Sequence, residues 1–261
     1  MNALMIYGQL RTFKQCIPTI LNYIDYDNKE YDIFLFIDTN NDSNYSEKNI
    51  EILQKMFNKN KNKHKNNIKL IKYTNTMSSE EINCENNLSI KYNNICQNIK
   101  KHFNLNNVVT NKFVSKLYYR RQLLISYVNE YCYNNNIHYD NCVLTRFDIK
   151  LHDEKFMFKN ELSIIFDIFF SGNLLMLSKI FQFTFEYFAM YDICLTQNLI
   201  FLDEIINNLH GYKLNHDELL SFYKQWLCMP ELNFKVYLIS KNIKFNDIPC
   251  DPKYICRQIK N

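Results

Sequence analysis

The sequence predicts an α/β fold, with a mostly parallel central sheet and helices on both faces. Two observations predict it. Strand-like runs alternate with helical patterns from Ala3 to Tyr73, and the strand runs are apolar on both of their faces. Runs of that kind belong to parallel sheets that helices cover on either side.

Ala3 to Tyr7 reads as a short, fully buried strand, and Gly8 follows it. A helical stretch then runs from Thr12 to Tyr23, with Thr12 and Gln15 at capping-box spacing. Pro18 clashes with a continuous helix, so a one-turn start and a second helix from near Pro18 are expected. Tyr31 to Asp38 is a second strand, Thr39 to Asn44 a polar loop, Glu47 to Phe57 a helix and Ile68 to Tyr73 a third strand. Three strands separated by helices make a β-α-β-α-β unit, with right-handed crossovers and helices on both faces.

Residues 74–111 are polar and rich in asparagine, with a weak helical pattern from Ile90 to Phe103. They read as an insertion or mobile, lid-like segment in a single domain spanning 1–261. Lys112 to Asn134 is a long helix, because Phe113, Leu117, Leu124, Val128 and Tyr131 recur at spacings of three, four or seven. Asn141 to Leu151 begins as a buried strand and exits through Arg146-Phe147-Asp148. Ser163 to Phe170 reads as another apolar strand, punctuated by Gly172. Helices are expected around Ser178–Tyr191, Leu199–His210 and Asp217–Leu227, and from Pro230 to Ser240, before a last short strand at Ile243-Lys244-Phe245.

The composition excludes several classes. A net charge of +4 over 261 residues, with lysines and acids interspersed, is weak for a dedicated nucleic-acid binder, so no nucleic-acid partner is expected. The one basic cluster, Asn58 to Lys65, carries no interleaved aromatics and reads as a solvated loop. Nine cysteines at irregular spacing, with no C-x-x-C pair, argue against a complete disulfide framework and a zinc ribbon. Met1 to Met5 lacks the pattern of a signal peptide. The most apolar region, Leu162 to Leu195, is broken by Asp167, Asn173, Lys179 and Glu186, which leaves no membrane span. A soluble, cytoplasmic protein in a reducing compartment is expected.

Four constellations can carry chemistry. In Tyr7-Gly8-Gln9-Leu10-Arg11-Thr12-Phe13, a glycine ends a parallel strand and lets a ligand approach the backbone. Ligands of open α/β sheets sit beyond such strand ends, the helix start favours anions, and Arg11 adds a planar fork suited to phosphate oxygens. Gly8, Gln9, Arg11 and Thr12 are therefore phosphate-binding candidates; an ordinary βα turn with a surface arginine is the plain alternative. In Arg146-Phe147-Asp148, alternation puts the two charged side chains on one side of an extended segment. Asp148 there can hold Mg²⁺ or Mn²⁺, or it can simply pair with Arg146. Asp167 lies in a very apolar run, where a carboxylate needs a partner or a cleft. Asp217, between His216 and Glu218 at a helix start, serves either the helix dipole or general-base catalysis. On the long helix, Arg120 or Arg121 can face the site, or a solvated face can hold either of them.

Taken in order, these pieces resemble GT-A-fold glycosyltransferase-like proteins of bacteria, algae and large DNA viruses. Gly8, Gln9, Arg11, Arg146 and Asp148 carry the resemblance, Pro230 and Glu231 add to it, and it runs from Met5 to Phe245. It implies a GT-A-like, Rossmann-like sheet and a nucleotide-sugar donor bound at the strand ends. It also implies transfer to an acceptor hydroxyl, with Gly8, Gln9, Arg11, Thr12 and Arg146 on the nucleotide and phosphates and Asp217 or Asp167 as base. In the wider fold a D-x-D motif holds Mn²⁺ or Mg²⁺. Here Arg146 stands in place of the first aspartate and Asp148 matches the second, so a cation at Asp148 and a metal-independent site with Arg146 supplying the charge are both open. The incomplete motif also leaves open a non-catalytic nucleotide- or sugar-binding module of the same fold. Exposed aromatics such as Tyr45 and Tyr92 suit a third reading, a structural interaction protein.

Overall fold

The computed structural model describes residues 1–40, 42–58, 67–102, 113–151, 155–159, 161–165, 168–182, 238 and 242–248. Its strands are β1 (Asn2–Gly8), β2 (Tyr31–Ile37), β3 (Ile68–Tyr73), β4 (Asn141–Arg146), β5 (Leu162–Ile165), β6 (Phe169–Gly172) and β7 (Phe245–Asp247). They form one mixed sheet in the order β3-β2-β1-β4-β6-β5-β7. The pairs β3–β2, β2–β1 and β1–β4 are parallel, whereas β6 runs antiparallel to both β4 and β5. The fold is therefore α/β with a largely parallel sheet.

Strand alternation sorts the side chains onto two faces. Leu4, Ile6, Ile33, Leu35, Ile37 and Val143 join Phe13, Ile17 and Ile20 of α1 (Phe13–Tyr23) and Leu53 and Phe57 of α2 (Glu47–Phe57) in one buried core. The other face meets α4 (Phe113–Asn135): the Phe34 ring lies 5.3 Å from Tyr131 and the Phe36 ring 6.3 Å from Tyr127. Apolar residues on both faces of β1 and β2 follow directly, since neither face of these strands meets water.

Several sequence expectations are refined by the structure. Helix α1 is continuous through Pro18, and Thr12 makes no side-chain cap bond to it. Pro18 is exposed, while Phe13, Cys16, Ile17, Ile20 and Tyr23 are buried on the opposite side. An interior proline costs about 3 kcal/mol, and burying Phe13, Ile17 and Ile20 at about 1.5–3 kcal/mol each outweighs it. The run from Ser163 to Phe170 is two antiparallel strands, β5 and β6, joined where the Ile168 N–H donates to the Ile165 carbonyl at 3.1 Å. The last strand sits two residues later than expected, at Phe245–Asp247. Residues 79–102, within the stretch read as an insertion, form α3 (Ser79–His102). A further helix, α5 (Leu174–Gln182), begins earlier than Ser178. The helices expected beyond it lie outside the described residues.

The described residues divide into two compact units, the first drawn from Met1–Ser78, Arg120–Lys179 and Asn246–Asn261, the second from Ser79–Tyr119 and Ile180–Phe245. In the second unit α3 meets the start of α4: Glu85 of α3, 5% exposed, pairs with Lys116 at 3.6 Å, and the Ser89 and Ser115 hydroxyls lie 3.1 Å apart. Among the described residues no helix is long and apolar enough to cross a membrane.

Candidate functional site

Because β1, β2 and β4 run parallel, their C-terminal ends share one edge, with Gly8 paired to Ile37 and Tyr7 to Arg146. Gly8 has φ +114°, and a Cβ built there meets nothing within 4 Å. Backbone conformation, rather than crowding, therefore requires the glycine. The Gly8 carbonyl accepts from the Asp38 N–H at 2.9 Å. Gln9 Nε2 donates to the Asn40 carbonyl at 2.7 Å, and the Leu10 N–H donates to Asp42 Oδ2 at 2.6 Å. The turn after β1 is thus tied to the loop after β2 through three consecutive residues. Asp42 is 8% exposed and also accepts the Asn44 N–H at 2.9 Å. The anion held by the Leu10 N–H is therefore the protein's own carboxylate, and Arg11 is the exposed cation of the turn. Thr12 is buried, and its hydroxyl oxygen accepts from Cys16 Sγ at 3.6 Å.

Two guanidinium–carboxylate pairs line the same edge. Arg146 and Asp148 lie on one side with Phe147 turned into the core at 0% exposure, as alternation expects. Arg146 Nε donates to Asp148 Oδ1 at 2.8 Å and Nη2 to Oδ2 at 2.7 Å, a bidentate fork only 17% and 18% exposed. At the end of β2, Asp38 Oδ2 accepts from Arg120 Nη1 of α4. Asp38 Oδ1 accepts the Asn40 N–H at 3.0 Å and lies 3.4 Å from the Thr74 hydroxyl. The Thr74 hydroxyl oxygen in turn accepts the Thr39 N–H at 2.9 Å, which joins the ends of β2 and β3. Beneath this edge the fully buried Arg121 places its guanidinium 5.1 Å from the Tyr7 ring and 4.9 Å from the Phe170 ring. Cation–π contact in a desolvated setting stabilises such a charge.

The structure brings Gly8, Gln9 and Arg146 with Asp148 to one sheet edge, with Arg11 and Thr12 in the adjoining turn. The base candidates Asp217 and Asp167, like Pro230 and Glu231, lie outside the described residues. Asp38 was not singled out by the sequence reading, although it ends the second strand at the edge where ligands are expected. Arg120 and Arg121, of which one was expected to face the site, fall three and four residues after Leu117 in the apolar pattern of the long helix.

Both Asp148 oxygens accept from the Arg146 guanidinium, and this bidentate pair fixes the plane of the group. Among the described residues, no three His, Cys, Asp or Glu side chains are grouped to hold a metal. A cavity lined by Gln54, Asn58, Ile68, Lys69, Leu70 and Ile71 runs along β3 and includes none of these edge residues. No family profile matches the chain, and no curated protein sequence matches it.

Proposed function

We propose that the protein is a glycosyltransferase that moves a sugar from a nucleotide-sugar donor to an acceptor hydroxyl, with the donor diphosphate at the C-terminal edge of β1, β2 and β4. The observation that carries this reading is the register of Tyr7 with Arg146. It sets the positive-φ Gly8 turn and the Arg146–Asp148 pair side by side at the edge where open α/β sheets bind ligands. The ordered G-Q-L-R-T-F, R-x-D and P-E segments support it from the sequence side.

The chemistry is electrostatic. As the glycosidic bond breaks, the leaving nucleoside diphosphate gains negative charge. Arg146, fixed in orientation by its fork, and Arg11 stabilise that charge without reorganising at the moment of reaction. In an inverting reaction a carboxylate takes the acceptor hydroxyl's proton, and Asp217 and then Asp167 are the candidates. Thermal melts with millimolar UDP and GDP, followed by hydrolysis assays across a donor panel, test this. A ligand at one hundred times its Kd stabilises by about 2.7 kcal/mol, so binding raises the melting temperature visibly, and turnover then distinguishes an enzyme. No shift with any nucleotide refutes the proposal. A shift without hydrolysis of any donor favours a non-catalytic binding module, the reading that arginine in the first D-x-D position supports.

A further inference from the structure

We propose that the open edge of β3 docks an extended, acidic peptide segment of another protein, which adds to the sheet as a further strand. This does not depend on the glycosyltransferase reading. Strand β3 stands at one end of the sheet order, and among the described residues it pairs with β2 alone. After a register shift at Ile33/Phe34, Leu70 to Tyr73 pair without interruption with Phe34 to Ile37. Alternate residues of an edge strand direct N–H and C=O groups away from the sheet, where another strand can take them. Sheet edges are commonly guarded by lysines that stand off the strand. Here Lys69 Nζ lies 3.3 Å from Asp32 Oδ1 of β2, and Lys72 Nζ lies 4.8 Å from the centre of the Tyr127 ring of α4. Both lysines lean over the sheet and leave the edge itself open. Beside that edge, a cavity of about 250 Å³ is lined by Gln54 and Asn58 of α2 and by Ile68 to Ile71 of β3. It gives room to a side chain of the added strand. Charge then decides the occupant. Residues 48–72 span most of α2, the chain entering β3 and nearly all of β3, and they carry eight lysines against one acid, Glu51. A second copy brings the same lysine excess against itself, whereas an acidic strand is drawn to it. A nucleic acid finds the charge but makes no use of the backbone edge or of the apolar Ile68, Leu70 and Ile71.

Fluorescence anisotropy with labelled probes and the full chain tests the assignment. The probes are an alternating Glu-Val peptide, the same peptide N-methylated throughout, an alternating Lys-Val peptide, an alternating Thr-Val peptide and a single-stranded oligodeoxynucleotide. The Glu-Val peptide is expected to bind and to slow hydrogen exchange of amides within Ile68 to Tyr73. N-methylation keeps the charge but removes every backbone donor from both edges of the peptide, and it is expected to weaken binding by about tenfold or more. The Lys-Val peptide is expected not to bind. Lys72→Gln is expected to weaken the Glu-Val peptide by about two- to fivefold, the range for a partly exposed charge pair, and to leave the weaker Thr-Val peptide unchanged. Absence of Glu-Val binding at millimolar concentration, equal binding of the N-methylated peptide, or exchange protection that omits β3 overturns the proposal. Protection of β3 in a dimer that forms with rising protein concentration overturns it in favour of a second copy. Protection of β3 by the oligonucleotide in place of the peptide overturns it in favour of a nucleic acid. The wild-type comparison needs no variant, so a substitution that fails to fold does not disable the test.

Discussion

Strand β2 has an aspartate near each end, and the two ends are built differently. At the N-terminal end, Asp32 Oδ2 accepts from the Tyr139 hydroxyl at 2.5 Å, and Oδ1 lies 3.3 Å from Lys69 Nζ. Tyr139 is fully buried, and burial, reinforced by its bond to Asp32, holds its hydroxyl well above the usual tyrosine range. That phenol stays a neutral donor at any working pH, and the arrangement is a closed structural hydrogen bond. At the C-terminal end, Asp38 pairs with a guanidinium, a second guanidinium–carboxylate fork stands across β1, and Arg121 lies under Tyr7. The same strand therefore has one carboxylate bonded to a buried tyrosine and a lysine, and one in the guanidinium–carboxylate edge to which the proposal assigns the donor diphosphate. What separates them is the chemistry of the partner and the direction of the parallel strands.

The comparison can be broken by substitution. Arg120→Ala leaves the Asp38 carboxylate in a site 14% exposed and is expected to cost about 3–5 kcal/mol in denaturant melts. The Asp38→Asn, Arg120→Ala double variant is expected to cost less than the sum of the two singles. Tyr139→Phe removes a hydrogen bond to a charged group and is expected to cost about 1.5–3 kcal/mol, with nucleotide affinity unchanged. A Tyr139→Phe chain that melts normally but loses nucleotide erases the distinction between the two ends. Gly8→Ala forces φ +114° on a residue with a side chain, with open space around it. It is expected to cost about 1–3 kcal/mol and to weaken nucleotide binding, since the turn then has to relax.

A third aspartate, at neither end of β2, gives the smallest effect. The Asn28 amide and then Lys155 hold the Asp25 carboxyl below the ordinary aspartate range. A depressed folded pKa contributes stability that is complete above the ordinary carboxylate range and is lost as pH falls through the folded value. Asp25→Asn is therefore expected to lower stability slightly at neutral pH and to flatten the loss on acidification, so that the variant and the wild type converge in acid. Melts across an acid series check this.

The fold was legible where one physical signal dominated. Runs such as Ile33-Phe34-Leu35-Phe36-Ile37 admit a buried parallel strand and little else, and the Phe113 to Tyr131 stripe admits a covering helix. Pro18 misled because local strain was weighed without the packing of Phe13, Ile17 and Ile20 that offsets it. The break between β5 and β6 was missed because both strands are buried, and Asp167, which falls between them in sequence, was read as a carboxylate in need of a partner rather than as the mark of a reversal. Of the site, Gly8 and the Arg146–Asp148 pair were legible because each is local in sequence. Asp38 with Arg120 was not, since the partners are 82 residues apart and no local pattern ties a strand end to a helix so far away.

The most direct test of the account is where a nucleoside diphosphate binds. Titrating UDP or GDP into isotope-labelled protein and following the backbone amides is expected to shift Gly8, Gln9, Arg11, Asp38 and Arg146 while leaving Asp32 and Tyr139 in place. Shifts confined to Asp32 and Tyr139, or to the cavity along Ile68 to Ile71, contradict it.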